Sequence, residues 1–399
     1  MSSIMNAGLL KHPRVRTGIW FAVAAAILLL LAPALLSDFR LNLLAKYLCY
    51  GLVGIGIGLA WGRGGLLVLG QGVFFGLGGY AMAMYLTLAQ TPEGKLPDFM
   101  ALYGETDKLP AWWTPFGSPW FALPATVLLP MGVATLLGLL VFRRRVRGAY
   151  FAILSQALSA AMVILIIGQQ GSTGGTNGLT NITVFFGYDL TDPLNQRSVY
   201  VLVAIVLLAM FWVARQLTQS RYGELLVAVR DQENRVRFLV YDPANVKLVA
   251  YVVAAGMAGM AGALFVPVVG IISPALIGIV PSIEFVIGVA VGGRAALLGP
   301  VLGAVAVAWA RTSLSEEFPQ FWTYLQGLLF VVAVAFLPGG LASLVPVLRH
   351  RFTRDKPPAG PGTPAGPDTP AGPRSGEDNP EDPELSQDRP LGSTAEVAT

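Results

Sequence analysis

The chain has 399 residues, of which 54% are hydrophobic and only 13% charged, an apolar excess that a soluble domain does not carry. Its formal net charge of +4 would suggest nucleic acid in a soluble protein, but here the basic residues stand beside apolar blocks. In that setting they report membrane topology and contact with anionic headgroups, so no nucleic-acid partner is implied. Cys49 is the single cysteine, and His12 and His350 lie outside the apolar blocks. This excludes an intrachain disulfide or thiolate cluster and leaves no histidine ligand or general base for metal chemistry inside the membrane.

Apolar blocks of the length a helix needs to cross roughly 30 Å of hydrocarbon, at about 1.5 Å per residue, recur between residues 18 and 341. The first, 18–36, follows Lys11, Arg14 and Arg16 as a signal peptide would. It exceeds a signal h-region and lacks a small-residue cleavage site after it, so it reads as a retained helix. Residues 1–17 then form a basic N-terminus and 18–348 a transmembrane domain. The pattern predicts an all-α polytopic bundle of about ten crossings, at 18–36, 42–60, 65–89, 119–142, 148–168, 199–215, 246–267, 276–293, 295–312 and 321–341. Block 276–293 contains Pro281 and Glu284 and reads as a broken or re-entrant helix, tolerated only where protein or a watery cavity satisfies its backbone.

Lys and Arg cluster at 11–16, 143–147, 215–247 and 349–356. Ten crossings bring these clusters to one side, which the positive-inside bias makes cytoplasmic together with both termini. The opposite loops, 90–118 and 169–198, are acidic, and Trp112, Trp113 and Trp120 read as an aromatic belt at the start of a crossing. Gly54 and Gly58, Gly288 and Gly292, Gly299 and Gly303, and the series Ala255, Gly259 and Ala263 have the small-xxx-small spacing of close helix packing, within the chain or between subunits. After Leu348 come three Pro-Ala-Gly-Pro repeats and an acidic stretch, so 349–399 reads as a disordered tail.

The cytoplasmic loop 216–245 is proline-free from 222 to 240 and carries Asp231 with Arg235 and Glu233 with Arg237 at i,i+4, the acid first. A short amphipathic helix is expected there, lying on lipid headgroups or docking into a groove on a cytoplasmic partner. The chain contains no Gly-x-x-x-x-Gly-Lys-Ser/Thr loop, so any ATP it uses is bound elsewhere.

A series of motifs carries a resemblance. It runs from Val68-Leu-Gly-Gln-Gly-Val-Phe-Phe-Gly-Leu-Gly-Gly-Tyr80 through Leu96-Pro-Asp-Phe-Met100, Arg145-Val-Arg-Gly-Ala-Tyr-Phe151 and Asn177-Gly-Leu-Thr180. It continues with Ala228-Val-Arg-Asp-Gln-Glu-Asn-Arg-Val-Arg-Phe238, Val266-Pro-Val-Val-Gly-Ile-Ile-Ser-Pro274 and Gly292-Gly-Arg-Ala-Ala-Leu-Leu-Gly-Pro300. In this order the series resembles the permease subunit of bacterial urea ABC importers, within the branched-chain amino acid permease family. The resemblance implies an inner-membrane permease paired with a second homologous permease, two cytoplasmic ATPase subunits and an extracytoplasmic solute-binding protein. It implies no cofactor in this chain, ATP being held by the ATPases. Gly223, Glu224, Arg230, Asp231, Glu233, Arg235 and Arg237 fall in the region that abuts the ATPase in that family. Gln71 stands where the urea group carries histidine, and its neutral amide can hydrogen-bond but cannot titrate near neutral pH.

Polar groups in or beside the crossings are candidates for the solute route, because lipid-facing polarity is costly. They are Gln71, Asn177, Thr180 and Glu284. Plainer roles stand beside each: an interhelical hydrogen bond for Gln71, turn chemistry for Asn177 and Thr180, and interfacial solvation for Glu284. Urea import is the leading expectation. A branched-chain amino acid importer, whose zwitterionic solute would reward charged partners along the route, and a carrier or channel working alone are the alternatives.

Overall fold

The computed structural model describes residues 21–331 except 93, 105–107, 145, 147, 295, 318–319, 322–323, 326 and 329–330. The chain divides into the units Met1–Phe352 and Thr353–Thr399. The basic N-terminus, the tail 349–399 and most of the crossing expected at 321–341 lie outside the described residues.

The helices are α1 (Phe21–Leu35), α2 (Asp38–Arg63), α3 (Gln71–Gln90), α4 (Asp98–Tyr103), α5 (Pro119–Arg143), α6 (Ala149–Gly168), α7 (Gln170–Thr173), α8 (Pro193–Gln219), α9 (Arg221–Phe238), α10 (Pro243–Val269), α11 (Ile279–Gly292) and α12 (Leu298–Glu317). The all-α expectation holds. Among the described residues seven segments are long and apolar enough to cross a membrane: α2, α3, α5, α6, α8, α10 and Pro274–Gly292, which includes α11. The expected count of ten is therefore not reached among them: α1 is shorter, and α12 carries Arg311 in its apolar stretch.

Start signals are written locally. Asp192 and Asp242 precede Pro193 and Pro243, and their carboxylates accept from the N–H groups of Leu194 and Ala244, both at 3.0 Å. Each cap satisfies a donor that the first turn leaves unpaired, and proline at the first position has no N–H to lose. Pro281 sits in the first turn of α11 for the same reason, so the chain breaks before the helix, at Gly270–Gly278, and not within it. α11 has 14 residues and is about 21 Å long, short of a full crossing. The stretch before it, irregular but for one 3-10 turn at Pro274–Leu276, pairs Ile272 with Leu179 through two hydrogen bonds of 2.9 Å. That contact supplies the protein partner such a break needs.

α10 is the central post, packed against α2, α3 and α5, while α2 also meets α8 and α12. Small residues allow the approach. A Cβ on Gly78 would collide with the Gly259 carbonyl, and one on Gly292 with the Gly299 carbonyl. Gly54 and Gly58 both abut Pro300. The small-residue pairs thus serve packing within the chain. Tyr50, Phe75, Phe265 and Phe285 form one aromatic cluster joining α2, α3, α10 and α11, with ring centroids 5.2–6.3 Å apart. Trp113 corrects the belt reading: it is buried and its Nε1 donates to the Ser172 carbonyl at 3.0 Å, whereas Trp112 and Trp120 are exposed.

Candidate functional site: the α9 face and the polar groups between helices

α9 lies where the sequence predicts an amphipathic helix. Gly223, Leu226, Val229 and Val236 are its buried residues, and the last three pack with Leu59, Val246 and Ala250 in a small apolar cluster separate from the main core. Gly223 is pressed against the Thr218 carbonyl, which leaves no room for a side chain. At Gln232 the backbone leaves helical geometry (φ −147°, ψ 70°).

That kink redirects the charges. Glu233 does pair with Arg237 at 2.8 Å, and it also takes a second cation, Lys247 of α10, at 2.9 Å. Asp231 does not pair with Arg235. It is held by its neighbour Arg230, at 2.7 Å, and the guanidinium keeps its carboxyl below the usual carboxylate range. Arg230 also donates through Nη1 to the Gly62 carbonyl at 2.8 Å, so it faces back toward α2. Tyr222 donates to the Val246 carbonyl at 2.8 Å, and burial pushes its phenol up to about 12. Glu224, Asp231 and Arg235 remain exposed.

Arg230, Glu233 and Lys247 border a cavity of about 400 Å³ shared with Gly64–Leu67 and the α5–α6 connection. Gly62 in turn abuts the Arg294 carbonyl, and the Arg294 guanidinium lies 5.0 Å above the Trp61 ring. The α9 end of the bundle therefore gathers the ends of α2, α5, α10 and α11.

Of the four route candidates, the structure brings none of the others to Gln71. Gln71 is fully buried at the start of α3 and donates through Nε2 to the Ala254 carbonyl of α10 at 3.2 Å. Its Oε1 has no partner among the described residues. The nearby N–H groups of Leu69 and Gly72 are capped across the fold by Ser155 of α6 (3.1 Å) and Ser282 of α11 (3.0 Å). Asn177 is exposed in a loop whose Gly174, Gly175 and Gly178 all have positive φ, which a Cβ would strain.

Thr180 borders a cavity of about 590 Å³ at the end of the bundle opposite α9. Asn42, Asn181, Thr183, Thr191 and Gln196 join it, and among the described residues none that lines it is charged. The hairpin β1 (Val184–Phe185) and β2 (Tyr188–Asp189) flanks the opening. Phe186 and Gly187, its two turn residues, have φ +48° and +87°, as a tight two-residue hairpin requires. Exposed Asp189 accepts from the N–H and hydroxyl of Thr191, both at 2.8 Å, and these bonds hold its carboxyl low.

Glu284 is not merely solvated at an interface. It is ion-paired with Arg311 of α12, and its side chain is 11% exposed against 43% for the arginine. Lys46 of α2 lies within electrostatic reach of both. Lys46, Arg311 and Lys247 were not singled out by sequence reasoning. The only signal for the first two was that each is a lone cation inside an otherwise apolar block.

Residues 39–334 match the family described as the permease component of branched-chain amino acid transport systems. The chain belongs to that family. Its members are transport components, which accords with the expectation of a non-enzymatic membrane subunit. The high-affinity branched-chain amino acid transport system permease protein LivM of Escherichia coli is 26% identical over 343 residues, covering 80% of this chain and 74% of its own length. LivM of Salmonella typhimurium matches to the same extent. No solved structure matches.

Proposed function

We propose that this permease imports urea as one half of the membrane channel of an ATP-driven complex in the bacterial inner membrane. The observation that carries the solute assignment is the large cavity opposite α9: among the described residues, six neutral polar side chains and no charged one border it. A small neutral diamide is matched by neutral donors and acceptors, and fixed charge would only add desolvation cost. The motif series from Val68 to Pro300 supports the same reading. Urea carries no charge on which the membrane potential could act, so its accumulation requires coupling to ATP or to an ion gradient, and on this reading ATP supplies it. On this reading α9 faces cytoplasmic ATPase subunits, a second permease completes the route, and a solute-binding protein delivers urea to the opposite face. Both termini are cytoplasmic.

A second reading takes a branched-chain amino acid as solute. LivM likeness favours it, and so does the Lys46, Glu284 and Arg311 group, since a zwitterion offers both a carboxylate and an ammonium. Uptake of labelled urea and labelled leucine by cells expressing the full set of subunits, with and without this chain, separates the two.

A further inference from the structure

On the reading that α9 contacts the ATPases, its charged face should contain groups that touch the partner and groups that pass movement on. The geometry points to Arg230 and Glu233 as the second kind: positioning residues that tie α9 to two different crossing helices.

Beside Arg230 and Glu233, the Tyr222 hydroxyl ties α9 to the Val246 carbonyl of α10 at 2.8 Å, and little else holds the helix. Its apolar face packs in a small cluster outside the main core, so displacement costs few apolar contacts. Polar tethers then decide what moves with it. Arg230 reaches the Gly62 carbonyl in the π-helical turn Gly58–Arg63 at the end of α2, a helix irregularity of the kind frequent at functional sites. Gly62 is packed on the Arg294 carbonyl and Gly58 on Pro300, so a pull on this turn reaches the α11–α12 connection. The other arm runs from Glu233 to Lys247 in α10. About two helical turns further along, the Ala254 carbonyl of α10 holds Gln71 at the start of α3. The kink at Gln232 lies between the two arms. The half before the kink is thus tied to α2 through Arg230 and to α10 through Tyr222, and the half after it to α10 through Glu233.

The test uses the whole complex in proteoliposomes, with ATP hydrolysis and solute uptake measured on the same vesicles. Arg230→Gln and Lys247→Met each remove one arm, and Arg230→Lys and Lys247→Arg each restore a cation. We expect the ATPases to copurify and hydrolyse ATP with all four variants. Solute imported per ATP should fall at least about fivefold, the low end of ordinary coupling between sites, in Arg230→Gln and Lys247→Met, and recover in the conservative pair. An unchanged ratio in both deleting variants would overturn the proposal, as would loss of ATPase copurification in them, which would make the residues docking contacts. Failure of the unsubstituted chain to retain ATPases would instead remove the reading of α9 on which the proposal rests.

Discussion

Glu284 of α11 and Arg311 of α12 form an ion pair inside the helical bundle, with Lys46 of α2 near enough to feel both charges. Glu284 thus neutralises Arg311, its one ion-pair partner among the described residues. Removing it should be worse than removing the pair, because an unpaired charge in a low-dielectric site is costlier than an uncharged replacement. Glu284→Gln is expected to destabilise the protein by about 1–3 kcal/mol, below the roughly 3–5 kcal/mol of fully buried pairs since Arg311 is partly exposed. Glu284→Gln with Arg311→Gln should recover part of the loss. Thermal unfolding of the purified protein in detergent measures both, and a double variant less stable than the single one would contradict the account.

Close helix approach gives a second expectation. Gly303 lies against the backbone of Gly288 and Gly292, whereas a side chain at Gly132 would meet open space. Gly303→Val should lower stability by about 1–3 kcal/mol through overpacking, and Gly132→Ala should change it little. Equal effects in the same unfolding assay would count against the α11–α12 packing.

Acid should loosen the α9 surface in a defined direction. Asp231 has its carboxyl pKa lowered by Arg230, so the pair contributes above the unfolded carboxylate pKa of about 3.9 and is lost as pH falls through the lowered value. Hydrogen exchange around 229–232 should therefore keep its protection from neutral pH down to about pH 4 and lose it only in stronger acid. Loss of protection already near pH 6, well above a carboxyl whose pKa is lowered, would contradict this role for the Arg230–Asp231 pair.

Topology is tested by labelling. In a Cys49→Ala background, an impermeant thiol reagent applied outside cells should label Tyr188→Cys in the hairpin and spare Ser220→Cys beside α9. The reverse pattern would invert the orientation.

How much of this was legible from sequence depended on whether the signal was local. Asp242-Pro243 writes the start of α10, Pro281 the late start of α11, and the apolar and charged spacing of 222–240 the amphipathic α9. Gln71 announced only that a polar group sat near a crossing, because its partner, the Ala254 carbonyl, is 183 residues away. Lys46 and Arg311 carried no comparable signal, because a lone cation in an apolar block reads equally well as a side chain that extends to headgroups. The pair expected between Asp231 and Arg235 failed for a conformational reason: i,i+4 spacing brings side chains together only along an unbroken helix, and the backbone leaves helical geometry at Gln232.

Energised uptake tests the central claim most directly. Cells expressing this permease with its partner permease, ATPases and binding protein should accumulate labelled urea against a gradient while ATP is available. Accumulation should vanish when this chain alone is omitted, and this chain expressed without the others should accumulate nothing. Leucine accumulation without urea accumulation would contradict the solute assignment, and urea accumulation by this chain alone would contradict the ATP-driven account.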